Sequence, residues 1–287
     1  MAAARVPGLV ASLVLEPAVL HALLAGTLVA VASGFVGYLL VLRAQVFTGD
    51  ALGHVGFTGA LAAAATGVDL RLGLFAACAA VAVVLGLLER YGRPDDVVIG
   101  TVLSYVLGLG TLFLALYTSA RSASGGATGV SVLFGSLLGL SLAQAALAAG
   151  VGAAVCVLLL AIARPLVFAS LDEAVALSRG VPVRTLGLVF LLLVGVTAAE
   201  ATQAVGALLL LGLLAAPAGA ASRLCVRPFA ALWCSAALAL GATWGGLALA
   251  EAVPVLPPSF AILAVATASY LAARLRARRR AALSSRC

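Results

Sequence analysis

Asp50 and His54 stand four residues apart in Gly49-Asp50-Ala51-Leu52-Gly53-His54. On a helix that spacing puts a carboxylate and an imidazole on one face, about one turn from each other. An oxygen donor with an imidazole nitrogen suits zinc and manganese alike. The chain has only two histidines and ten carboxylates, most of the latter at the ends of apolar runs, so the pair is informative. Two donors fall short of the four that close a structural zinc site, and an ion held by so few is free to leave, as transport requires. The competing reading is a helix end at the membrane boundary, with Asp50 solvated or paired to Arg43. Against it stands the cost of an ionisable group within a span, about 2.5–3.5 kcal/mol on insertion scales, which is usually borne for function.

The remaining polar candidates are sparse. Glu200 and Gln203 lie one turn apart where two apolar runs meet, and read first as a polar turn facing water; Glu200 is also a candidate third oxygen for an entering metal ion. His21 is alone near the start of the first run, its outer end, and reads as a boundary residue. Asp95 and Asp96 follow Pro94 and suit a helix N-terminus. Pro217 falls inside an apolar run, where it is expected to kink the helix and free a carbonyl.

The elements that must carry these residues are membrane spans. Of 287 residues, 64% are hydrophobic and 9% charged, against roughly 25% charged in a soluble domain, which predicts an all-α, polytopic transmembrane bundle in a single domain over 1–287. Apolar runs near the roughly 20 residues a bilayer requires occur at 18–42, 51–67, 72–88, 97–120, 142–163, 186–202, 204–221, 229–250 and 257–274, so about nine helices are expected, or eight if one short run is re-entrant. All 17 basic residues are arginine. With nine spans, 14 of the 17 fall on one side, leaving Arg5, Arg71 and Arg121 on the other, and the positive-inside rule then puts the C-terminus in the cytoplasm and the N-terminus outside. The net charge of +7 sits in short loops and the basic tail at 274–287, where topology and anionic headgroups account for it without nucleic acid. The pairs Gly49/Gly53, Gly135/Gly139 and Gly241/Gly245 have the spacing that lets helix backbones approach in lipid. Five cysteines without a CxxC pair argue against a disulfide framework or zinc knuckle, and the first residues read as an uncleaved leader.

Two connections stand out. Arg121 to Ser141 starts as a Gly- and Ser-rich hinge and ends in a segment too short to span, read as interfacial or re-entrant. Arg164 to Thr185 reads as a cytoplasmic loop holding its own short helix, with Ser170 able to cap it, Asp172 and Glu173 in its first turn, and Gly180 and Pro182 ending it.

Five stretches, in order and spacing, resemble the membrane permeases of zinc and manganese ABC importers, the ABC-3 or ZnuB/TroB/MntB-like family. They are Gly49-Asp50-Ala51 with His54; Asp95 to Gly100 leading to Ser104 and Gly108; Leu133 to Gly139; Leu171-Asp172-Glu173-Ala174 with Arg179-Gly180-Val181-Pro182-Val183; and Gln203 to Gly206 continuing to Leu213 through Ala218. The likeness runs from about Phe35 to Tyr270. It implies a type II ABC importer-like permease in the bacterial plasma membrane, paired with a second permease copy, driven by separate ATPase subunits and supplied by an extracellular metal-binding protein. No tightly bound cofactor is implied; zinc or manganese is the cargo. In the family, the residues matching Leu171, Asp172, Glu173, Ala174, Arg179, Gly180 and Pro182 dock on the ATPase, and those matching Asp50 and His54 are candidates to touch the metal. One departure is visible: the family's Pro-Gly pair after the histidine is Thr58-Gly59 here.

Other function classes lack their signatures. An intramembrane metalloenzyme would want HExxH or a nucleophile beside a base. A self-sufficient secondary carrier would show an inverted repeat and more buried acids. No GxxxxGK[ST] stretch is present, so the chain is not expected to be an enzyme, and any ATP hydrolysis belongs to a partner subunit.

Overall fold

A computed structural model describes residues 17–88, 95–120, 139–207, 210–253 and 255–284. Among them every regular element is helical: α1 Pro17–Leu42, α2 Val46–Thr66, α3 Leu70–Leu88, α4 Asp96–Ala120, α5 Leu142–Leu171, α6 Glu173–Ser178, α7 Val183–Val205, α8 Leu210–Leu224, α9 Pro228–Ala252 and α10 Pro258–Ser284. Seven are long and apolar enough to cross a membrane. The expected number of about nine is therefore not reached on length and hydropathy alone. Helix α2 is diluted by glycine, threonine, Asp50 and His54, and α8 has only 15 residues. The Gly- and Ser-rich connection, Gly135 and the N-terminal leader lie outside the described residues.

Helix α1 is the core. Its residues from Ala22 to Leu40 are mostly buried because α5, α7, α8 and α9 all pack on it. Ser235 on α9 donates its hydroxyl to the Gly34 carbonyl at 2.7 Å, and Trp233 meets Phe35 edge-on with ring centroids 5.0 Å apart. Of the expected glycine pairs, Gly241 has open space around it and Gly245 only ordinary contacts; the close approach on α9 is at the neighbouring Gly246, where a β-carbon would overlap the Ile262 backbone. Composition marked the right region and the wrong face.

Two helices run further than their apolar runs. Helix α5 continues through Pro165 to Leu171, so Arg164 to Leu171 is helix and not loop. Its 30 residues make about 45 Å at 1.5 Å per residue, more than a hydrocarbon core of about 30 Å requires. Likewise α10 carries the basic residues from Arg274 onward as a helical extension to Ser284. Pro217 does not end α8, which continues to Leu224; it withholds one backbone bond from Leu213.

The helix ends sort into two groups. At one end, His21 on α1 reaches the Leu140 carbonyl before α5 at 3.3 Å, and Arg71 on α3 reaches Gln203 on α7. The opposite, arginine-rich end gathers Arg43, α6 and the start of α7.

Candidate metal path and coupling surface

Helix α2 lies against α3 and α4 and touches α7 and α8. Small residues make that possible. Gly59 and Gly73 of α3 face each other so closely that a β-carbon on either would strike the other's carbonyl, while Gly53 abuts Leu210 of α8. Most of the helix is buried in consequence. After Val46, the accessible residues of its first three turns, Phe47, Asp50, His54 and Phe57, recur at three and four positions and form one stripe. Asp50 and His54 are thus brought together, half-buried, on the one face of α2 that its neighbours leave open. Thr58, which stands where the family has proline, donates its hydroxyl to the Val106 carbonyl of α4 at 3.2 Å. The departure from the pattern is a tie between two helices.

Arg43, the counter-charge that sequence proximity offered Asp50, is 3% exposed. Its Nε donates to Gln45 Oε1 at 2.9 Å, and its guanidinium carbon lies 5.4 Å from the centroid of the Phe190 ring. Among the described residues no group of three or more His, Cys, Asp or Glu side chains could hold a metal ion, so Glu200 does not join the pair.

Glu200 sits near the other end of the molecule and is 4% exposed, which overturns the reading of a polar turn facing water. A polar network lies beside it. Arg71 Nε donates to Gln203 Oε1 at 2.7 Å and its Nη2 to the Gln144 carbonyl at 3.3 Å, while Asp69 accepts from the Arg71 backbone N–H at 2.8 Å. Gln144 in turn completes a capping box with Ser141 at the start of α5. Arg71 therefore fastens α3, α5 and α7 together beside Glu200, whose Oε2 is buried without a hydrogen-bond partner. Sequence reasoning counted Arg71 only as a topological charge and missed this role; the amide-bearing Gln144 and Gln203, rare in so apolar a chain, were the available signal.

The short helix α6 is built as a stop between two long ones. Its cap is Asp172, whose side chain accepts from the Val175 N–H at 3.0 Å. Ser170, the expected cap, is still inside α5 and returns its hydroxyl to the Leu166 carbonyl. At the far end, Val181 N–H bonds Ala176 O and Gly180 N–H bonds Leu177 O, both at 3.0 Å, with Gly180 at φ +76°; this is a Schellman stop. Its apolar contact is present too, since Val181 packs on Ala169, Ala176 and Val183. Outward of that small core, Leu171, Asp172, Ala174, Arg179, Gly180 and Pro182 are exposed and Glu173 is half-buried. Leu171, Val175 and Leu177 add exposed apolar surface.

A bundle of long apolar helices, one of its members bearing a carboxylate and an imidazole on its open face, and a capped helical elbow at one end describe a polytopic membrane protein. Comparison with known proteins gives the family: residues 16–277 match the model of the ABC 3 transport family, and the chain belongs to it. It is 28% identical over 222 residues, 76% of this chain and 73% of the relative, to the manganese transport system membrane protein MntC of Halalkalibacterium halodurans. It is 27% identical over 212 residues, 74% of this chain and 68% of the relative, to the chelated iron transport system membrane protein YfeD of Yersinia pestis. In fold it resembles PsaBC from Streptococcus pneumoniae, solved in complex with Fab, with a TM-score of 0.79, 22% identity, and coverage of 93% of this chain and 95% of that one.

Proposed function

We propose that this chain is the permease subunit of an ABC importer that carries a divalent metal ion, manganese or zinc, across the bacterial plasma membrane. The observation that carries the reading is the open stripe of α2, with Asp50 and His54 side by side on it. Two donors per chain leave an ion under-coordinated and so free to move on, and a second permease copy pairs with this one in the membrane. Glu200 serves as an earlier contact for the entering ion. The elbow from Leu171 to Pro182 docks on a separate ATPase subunit, an extracellular binding protein delivers the ion, and Pro217 supplies a point of bending in α8. The whole chain acts as one domain crossing the bilayer nine times, with the N-terminus outside and the C-terminus in the cytoplasm. The manganese named for MntC supports that cargo; the chelated iron named for YfeD makes iron the competitor to test.

Orientation and cargo are checked together. In a protein freed of its native cysteines, Ser178→Cys is expected to react with an impermeant maleimide only after the membrane is opened, since Ser178 is exposed at the end of α6. Proteoliposomes holding permease, ATPase subunit and binding protein should take up radiolabelled manganese in an ATP-dependent manner, with zinc competing better than iron. Labelling of Ser178→Cys from outside intact cells rejects the orientation, and uptake of iron alone rejects the cargo.

A further inference from the structure

The turn between α1 and α2 is a second Schellman stop, and it carries the wrong residue. Gln45 N–H bonds Leu40 O at 2.8 Å and Ala44 N–H bonds Val41 O at 3.2 Å, the same pair of bonds that ends α6. The left-handed position is Ala44, with φ 56°, where Gly180 stands in the other turn. The flanking residues are buried: Arg43 is 3% exposed and Gln45 4%. Arg43 folds back on Gln45 and lies over Phe190, a side chain with no exposure at all. Phe190 is two turns into α7, whose first residue Val183 is packed into the small core under α6. Gln45 is the residue from which α2 starts, and its backbone carbonyl accepts from Thr48 N–H at 3.0 Å. Asp50 and His54 follow within the first three turns of α2.

We infer that Arg43 and Phe190 form the joint through which a displacement of the α6 elbow is handed to the helix bearing Asp50 and His54. Arg43 is a positioning residue; it touches no ion. The proposal rests on the reading of the chain as an ATP-driven permease. Its physical basis is that α7 is fixed to α6 at one end and grips the α1–α2 turn through a buried cation–π contact, which is stronger out of water than at a surface. A charge placed at the C-terminus of α1 also complements the helix dipole, so a purely structural role for Arg43 is the alternative to exclude.

Two measurements on the complete transporter, permease with ATPase subunit and binding protein in proteoliposomes, separate these. The first is radiolabelled manganese taken up per ATP hydrolysed, normalised to inserted permease. Phe190→Leu keeps apolar bulk and Arg43→Met keeps the apolar stem; each is expected to lower the ratio about tenfold, near the strength of one desolvated cation–π contact. The double variant should fall no further than either single one, because both remove the same interaction. The second measurement does not depend on cargo: in a cysteine-free background, ATP is expected to change the labelling rate of Phe47→Cys, on the open stripe of α2, and Phe190→Leu is expected to abolish that change. An unaltered uptake ratio with only less inserted protein, independent losses that multiply in the double variant, or an ATP effect at position 47 that survives Phe190→Leu each overturns the joint. A wild-type complex that moves no metal yet shows the Phe190-dependent change at position 47 overturns the cargo reading alone and leaves the joint standing.

Discussion

Permease carrying Asp50→Asn or His54→Ala is expected to import metal at no more than background while inserting in normal amount. Asp50→Asn removes the carboxylate charge, His54→Ala removes the nitrogen, and neither adds a charge. Asn keeps the shape of Asp50 but loses the full negative charge, and in a path of low dielectric that charge acts on a dication far more strongly than it would in water. His54→Ala removes the nitrogen donor, leaving a small residue on a helix that is already rich in alanine. Both side chains are half-buried on the open stripe and not in the packed faces of α2, so neither truncation opens a cavity against α3, α4 or α8. The boundary reading expects the opposite pattern, with a modest loss of inserted protein and near-normal transport per molecule. Radiometal uptake normalised to inserted permease distinguishes them, and wild-type uptake in both variants removes the metal role.

Gly180→Val is the second large effect. Nothing lies within 4 Å of a β-carbon built on Gly180, so no clash is involved; the cost is the backbone alone. A left-handed conformation is disfavoured for an L residue by about 1–2 kcal/mol, and for a β-branched one the position is an outlier. The two bonds that close α6 would open, freeing the Ala176 and Leu177 carbonyls and turning the exposed face of the elbow away from its neighbour. Transport should fall at least tenfold, with the permease still inserted and still partly bound to the ATPase subunit. Gly180→Asn, a residue that tolerates this conformation, should recover most of the loss. Normal ATP-coupled uptake in Gly180→Val would dissociate the elbow from energy transfer.

How much of this was legible depends on range. The helices that begin and end at composition breaks could be read directly, because in lipid only a helix satisfies its own backbone. The elbow could be read from Asp172, Gly180 and Pro182, whose effects act within a few residues. Its cap was assigned one element too early: Ser170 looks like a cap only if α5 stops at Arg164-Pro165, and neighbouring helices hold α5 together past that proline. The pair Asp50 and His54 was visible through spacing alone. Glu200 was misread, since nothing in its own segment reveals that α3, distant in sequence, packs on its part of α7. Arg43 over Phe190 was invisible for the same reason. A cation–π contact between separate helices has no local signature.

Ala44 has an implication for handling the protein. Its left-handed conformation is one that glycine adopts without penalty, and the two motif bonds around it are already made. Ala44→Gly is therefore expected to raise the thermal unfolding midpoint in detergent, by a few degrees for a gain of about 1 kcal/mol. If the turn must also yield during each cycle, the hardier variant will be the slower transporter, and a search for samples suited to structure determination would select against turnover at this one residue.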